Sequence, residues 1–147
     1  MKKAGLRISG IFMAIILGVG AQTSTWSEDF AKSAAEAKTS GKFMLLDFSG
    51  SDWCSWCKKL DKEVFSQKEF KDYAAAHLVT VLVDSPRSRT MKKETLQQNE
   101  SLIQKYGIQG FPTIILLSPE GEMAGQTGYQ YGGAEKYVEH LKGIIAD

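Results

Sequence analysis

Cysteine is scarce in this chain of 147 residues, which has two. A miniprotein stapled by disulfides carries more, and a structural zinc site needs two further ligands at recognisable spacing. The two histidines, His77 and His140, lack the H-x3–5-H spacing and fall near separate predicted helices, so no metal is expected. Charge of one sign is missing as well. The 18 basic and 17 acidic side chains leave a formal charge of +1, which speaks against the broad basic surface of a nucleic-acid binder. The apolar run at 8–21 has 14 residues, short of the roughly 20 that span a bilayer core. There is no internal repeat and no low-complexity linker. With 43% hydrophobic and 24% charged residues, the chain has enough for one well-buried domain and too little for two large ones.

Lys2, Lys3 and Arg7 precede that apolar run, which closes on Val19-Gly20-Ala21. Basic start, short apolar middle and small residues at the end are the layout of a secretory signal. Cleavage after Ala21 and export to the periplasm or another extracytoplasmic space are expected. No cysteine near the cut invites a lipid. An uncleaved anchor or a chance apolar N-terminus is the competing reading. Residues 22–147 then form the domain, with 15 basic and 17 acidic side chains and a net charge of −2. Disulfides persist outside the cytosol, so the two cysteines can serve as a redox pair.

Along the domain, residues 25–38 pattern as an amphipathic helix, with Thr25 and Glu28 at capping-box spacing. Residues 43–48 and 78–84 are short, nearly continuous apolar runs, as in strands covered on both faces. Cys57, Leu60 and Val64 share one helix face, and a further helix is predicted around 68–76. After a polar stretch at 85–100, a helix from about 95 to 106 leads to strands at 113–118 and 122–127, joined by the turn Pro119-Glu120-Gly121. Ala134, Tyr137, Val138, Leu141, Ile144 and Ile145 mark the apolar face of a terminal helix. The alternation predicts an α/β fold, a central mixed β-sheet flanked by helices on both faces.

Trp53-Cys54-Ser55-Trp56-Cys57 follows a predicted buried strand and opens a helix. In that context a C-x-x-C is a redox motif, because the free N–H groups and dipole of a helix N-terminus stabilise a thiolate. A fall of the first cysteine's pKa from about 8.5 to near 7 raises its thiolate fraction at neutral pH roughly fifteenfold. Lower intrinsic nucleophilicity offsets part of that gain. Cys54 is therefore expected to attack, and Cys57, on the face shared with Leu60 and Val64, to resolve the mixed disulfide. Three other readings compete: a structural staple, which closes too small a loop to stabilise much, a metal site, and an inert buried pair.

LLDFSGSDWCSWCK at 45–58 and YGIQGFPTIILL at 106–117, followed by a glycine-containing hairpin and a terminal helix, resemble the thioredoxin-like thiol–disulfide oxidoreductases. The closest match is their exported bacterial branch with a D-W-C-x-W-C-K site, and the resemblance covers about residues 25–145. It implies the thioredoxin-like fold, with Pro112 as a cis-proline opposite the disulfide and Phe111 offering backbone polar groups to a substrate strand. Asp47 would take or relay the proton of Cys57. Its segment DFSGSDWC is one residue longer than thioredoxin's DFWAEWC, and a strand-end aspartate satisfied by backbone and water is the alternative. Ser-Trp replaces thioredoxin's Gly-Pro between the cysteines. Trp56 either covers the disulfide and meets substrate or is surface packing; Trp53 either shields Cys54 or packs in the core.

The basic segment from Arg87 to Lys93 reads as a solvated loop, with a lip for an acidic partner as the alternative. Asn99-Glu100-Ser101 fits a glycosylation sequon. The expected activity is disulfide exchange with protein substrates, in the reducing direction. It would be fed by a membrane electron donor, without bound cofactor or metal, by a monomer that does not bind nucleic acid. A disulfide oxidase or isomerase, and a non-catalytic binding or chaperone module, are the alternatives.

Overall fold

The computed structural model describes residues 26–146; the expected signal segment and its cleavage site after Ala21 lie outside them. Four strands, β1 (Phe43–Ser49), β2 (Leu78–Asp84), β3 (Thr113–Leu117) and β4 (Met123–Thr127), form one sheet in the order β2-β1-β3-β4. β1 runs parallel to β2, with Phe43 opposite Leu78 and Ser49 opposite Asp84. β3 is antiparallel to both β1 and β4. The mixed sheet read from the sequence is the one observed. Met44–Ser49 and Ile114–Leu117 are buried throughout, which is why these central strands are nearly continuous apolar runs.

Helices α1 (Phe30–Ser40) and α4 (Lys93–Lys105) cover one face, where Ala37 and Leu102 pack on Met44, Leu46, Phe48, Val81 and Ile115. On the other face lie α2 (Ser55–Leu60), α3 (Lys68–His77) and α5 (Gly133–Ala146). Their Leu60, Phe70, Tyr137 and Leu141 meet Leu45, Ile114 and Leu116. Side chains alternate along a strand, so Asp47 shares this second face with Leu45. That places it beside the helix that carries the cysteines. A π-helical turn, Asp61–Phe65, continues α2 toward α3. α5 lies so close to the sheet that a Cβ at Gly125 would come within 2.4 Å of Ile144.

α1 begins later than its residue pattern suggests. Asp29 is its N-cap, accepting the Lys32 N–H at 2.9 Å. Residues before it lie along β2: the Ser27 N–H donates to the Thr80 carbonyl at 3.0 Å, and the Leu82 N–H donates to the Ser27 carbonyl at 2.8 Å. Two sheet bonds outweigh one more helical turn, and they also cover the free edge of β2.

Candidate redox site

Cys54 is the N-cap of α2 and is joined to Cys57 in a disulfide, with Cα atoms 5.2 Å apart. The tight turn that delivers it closes with the Trp53 and Cys54 N–H groups donating to the Gly50 carbonyl at 3.1 and 2.8 Å. At the helix start the Cys57 N–H donates to Cys54 Sγ at 3.2 Å. The donor that the sequence context promised for a thiolate is thus aimed at the first cysteine. Exposure does not separate the pair, at 7% for Cys54 and 5% for Cys57. What distinguishes them is their surroundings.

Cys57 lines a cavity of about 340 Å³ together with Asp47, Ser49, Ser51, Lys58 and Asp61. Asp47 is 8% exposed, and its Oδ1 has no hydrogen-bond partner. Burial, the larger cause, and then the charges of Asp61 and Asp84 push its pKa from 3.8 up to about 7. The longer segment between Asp47 and Cys54 does not keep the acid from the cavity of Cys57.

Asp84, at the end of β2, is buried and multiply bonded. It accepts the Ser51 N–H at 2.9 Å, the Ser51 hydroxyl at 2.6 Å and Arg89 Nη2 at 2.9 Å. Its carbonyl accepts Asn99 Nδ2 at 2.9 Å. The active-site turn is therefore tied to β2, to the basic loop and to α4. Asn99 is buried in this network, which removes it as a glycosylation acceptor, since an acceptor amide must stand in solvent.

The basic segment is exposed, as expected of a solvated loop, and is fastened at its start. Asp52 accepts the Arg87 N–H at 3.0 Å and the Ser88 N–H at 2.6 Å, and takes a further bond from the Ser88 hydroxyl. These bonds, the hydroxyl's foremost, lower the Asp52 pKa to about 2. Arg89 pairs with Glu28 at 2.6 Å as well as with Asp84. A hydrophilic composition hid Asp52 and Glu28 as partners, because they lie 35 to 61 residues away in sequence.

Around the disulfide runs an aromatic rim. Trp53 Nε1 donates to the Ser85 carbonyl at 2.8 Å, and its ring meets Phe111 edge-on at 6.0 Å. The Phe111–Pro112 peptide is cis. A Cβ on Gly50 would sit 2.4 Å from the Trp53 ring, so only glycine admits the indole there. Trp56 packs on Tyr129 at 5.1 Å, and Tyr129 meets Tyr131 at 5.2 Å. Trp56 thus joins a surface cluster, and Trp53 ties the turn to the β2–α4 loop. The histidines stand apart from the cysteines: His77 lies against Tyr73, and His140 Nε2 is 2.7 Å from Thr127 Oγ1.

Several residues of the site escaped the sequence reading. Asp61, four positions after Cys57, carried a helical-spacing signal. Asp84 could be reached only through the β1–β2 register, and Tyr129 and Tyr131 only through the return of the chain after β4.

The family described as "Thioredoxin-like domain" matches residues 30–143. The chain is 32% identical over 139 residues to "Disulfide bond reductase DsbH" of Chlamydia pneumoniae, covering 95% of this chain and 83% of that protein. A solved structure named "DsbH Oxidoreductase" superposes with a TM-score of 0.81 at 31% identity, covering 94% of this chain and 95% of the other. "Thioredoxin-related protein DsbJ" of the same organism is 32% identical over 127 residues, 82% of this chain, which spans only 36% of DsbJ's length.

Proposed function

Because this chain belongs to the thioredoxin-like family and is a thiol–disulfide oxidoreductase, we propose that it works in the reducing direction on protein disulfides, outside the cytosol. One observation supports the mechanism above others: Cys54 Sγ takes a helix N-terminal N–H, while Cys57 shares its cavity with a buried acid of pKa about 7.

In the dithiol form the Cys54 thiolate attacks one sulfur of a substrate disulfide. A mixed disulfide forms, and one substrate thiolate leaves. Cys57 then gives its proton to the Asp47 carboxylate and attacks Cys54 Sγ. The second substrate thiolate leaves, and the Cys54–Cys57 disulfide remains. Two electrons have passed from protein to substrate. An acid titrating near neutrality can accept that proton and release it to solvent within one cycle. No bound cofactor enters these steps, because the dithiol carries the electrons. An external dithiol donor restores it; the N-terminal layout of 1–21 supports an extracytoplasmic site, where a membrane protein would be that donor. Phe111, whose ring meets that of Trp53 beside Cys54, and Pro112 would border the disulfide and receive the substrate strand.

Insulin reduction with a chemical dithiol as electron source tests the reading. The chain should accelerate cleavage of the insulin disulfides, and Cys54→Ser should abolish the acceleration. A protein that leaves the uncatalysed rate unchanged, while binding insulin equally well with Ser at both cysteine positions, would be a binding module instead. The name of the relative DsbH, a disulfide bond reductase, favours reduction over oxidation.

A further inference from the structure

The rim of the redox site carries cations that make no ion pair with a described carboxylate. Among the described residues the ion pairs are Lys68–Asp72, Arg89–Glu28, Arg89–Asp84 and Lys142–Glu139. Arg87 and Lys59 belong to none of them. Each is held over aromatic rings: the Arg87 guanidinium lies 3.9 Å from the Trp53 ring centre, and the Lys59 ammonium lies 4.9, 5.1 and 5.5 Å from those of Trp56, Tyr129 and Tyr131. A ring quadrupole positions a cation without cancelling its charge. The acids close by make their hydrogen bonds to neutral donors rather than to these two side chains. Asp52 holds Arg87 and Ser88 by their backbone N–H groups, Glu63 accepts the Tyr129 hydroxyl, and Asp61, which opens on the cavity, accepts the Ser66 hydroxyl at 3.2 Å.

These two cations end one continuous arc. Trp53 meets Phe111; Phe111 precedes Pro112; the Pro112 carbonyl lies beside Gly128, 3.3 Å from where a Cβ would stand; and Tyr129 meets Trp56. Cys54 sits between the two tryptophans in sequence. Trp53, Trp56 and Tyr131 stay 36%, 48% and 75% exposed, a contiguous aromatic surface of the sort that polypeptides cover. Lys58 and Lys62, exposed on α2 and its continuation, add charge of the same sign. The domain from residue 22 onward is net −2, so these rim cations stand against a slightly acidic whole.

We infer that this arc is a docking surface for an acidic polypeptide segment, with Arg87 and Lys59 meeting carboxylates on either side of the cysteine to be attacked. The inference rests on the oxidoreductase reading and adds the substrate class to it. Exposed pairs of this kind change rates by a few-fold each, mostly through encounter, and salt screens them.

Three peptides test it, each with one cysteine in mixed disulfide with the same neutral thiopyridine and with Glu, Gln or Lys two positions before and after. With the reduced protein in a single turnover, the second-order rate constant for release of the thiopyridine should fall in the order Glu, Gln, Lys. The Glu-to-Lys ratio should be about tenfold near 20 mM salt and shrink to about twofold near 0.5 M. The ratio should collapse toward one in the Arg87→Gln, Lys59→Gln double variant and invert in the Arg87→Glu, Lys59→Glu variant. Ratios are taken within each variant, so a change in overall rate does not enter. Equal rates for the three peptides at low salt, or an undiminished Glu preference in the double Gln variant, would overturn the inference. Binding of the same peptides with Ser in place of Cys separates the two readings. Preferential binding of the Glu peptide without exchange would keep the surface and defeat the oxidoreductase reading; exchange without charge preference would do the reverse.

Discussion

The Cys57 backbone N–H donates to Cys54 Sγ at 3.2 Å, so the second cysteine of the pair supplies, through its own peptide, a hydrogen bond that favours the thiolate of the first. The side chain of Cys57 is turned to another task, lining the cavity of Asp47. This division predicts an asymmetric trap. Cys57→Ser should accumulate a mixed disulfide between Cys54 and a substrate protein, visible on a non-reducing gel, whereas Cys54→Ser should not. Trapping that requires Cys57 would reverse the assigned roles.

Asp47 carries a pH signature in stability as well as in chemistry. Its pKa is raised from 3.8 to about 7 in the folded chain. Below about pH 4 folded and unfolded chains both hold the proton. Between there and about pH 7 only the unfolded chain releases it, so stability falls as pH rises and levels off above. The loss is on the order of 4 kcal/mol across that window. In urea unfolding of the disulfide form, Asp47→Asn should match the parent near pH 4 and be more stable by a few kcal/mol at pH 8. The same variant should slow resolution of the mixed disulfide by about a hundredfold near pH 7.

Asp84 acts on the site from behind. Its carboxylate holds the Ser51 turn and Arg89, and its charge contributes to the raised pKa of Asp47. Asp84→Ala should cost about 3 kcal/mol, as expected when buried donors and a cation lose their partner. It should also move the Asp47 titration downward, read by carboxyl NMR of the labelled aspartate. A stable variant with the Asp47 midpoint unmoved would refute both parts.

Gly50 is required by contact rather than by backbone conformation. Gly50→Ala places a methyl against the Trp53 indole, and relief means moving the ring off Phe111 and off the Ser85 carbonyl. A loss of about 1–3 kcal/mol is expected, together with a shift in tryptophan emission that is absent when Trp53 is first changed to Phe.

Much of this was legible in the sequence where the signal is local. The runs at 43–48 and 78–84 are apolar because both faces of β1 and β2 are covered, and the placement of Cys54 before Ser55–Leu60 follows from a C-x-x-C opening a helix. The start of α1 was not legible. Its capping-box spacing at Thr25 and Glu28 competed with sheet bonds to Thr80 and Leu82 that no local pattern records. The loop at 87–93 is exposed, as its composition suggests, but its fastening to Asp52 and Glu28, which come from other parts of the chain, has no local signal. The sequon at Asn99 is a chance match, because the Asn99 amide is buried and donates to the Asp84 carbonyl at the end of β2.

The reduction potential of the Cys54–Cys57 pair, from equilibration with defined glutathione mixtures, tests the central claim most directly. A reductase should equilibrate near thioredoxin's about −270 mV, and in any case below about −200 mV. A value near the about −120 mV of a strong disulfide oxidant would mean that the pair gives disulfides away rather than reducing them, and would contradict the account.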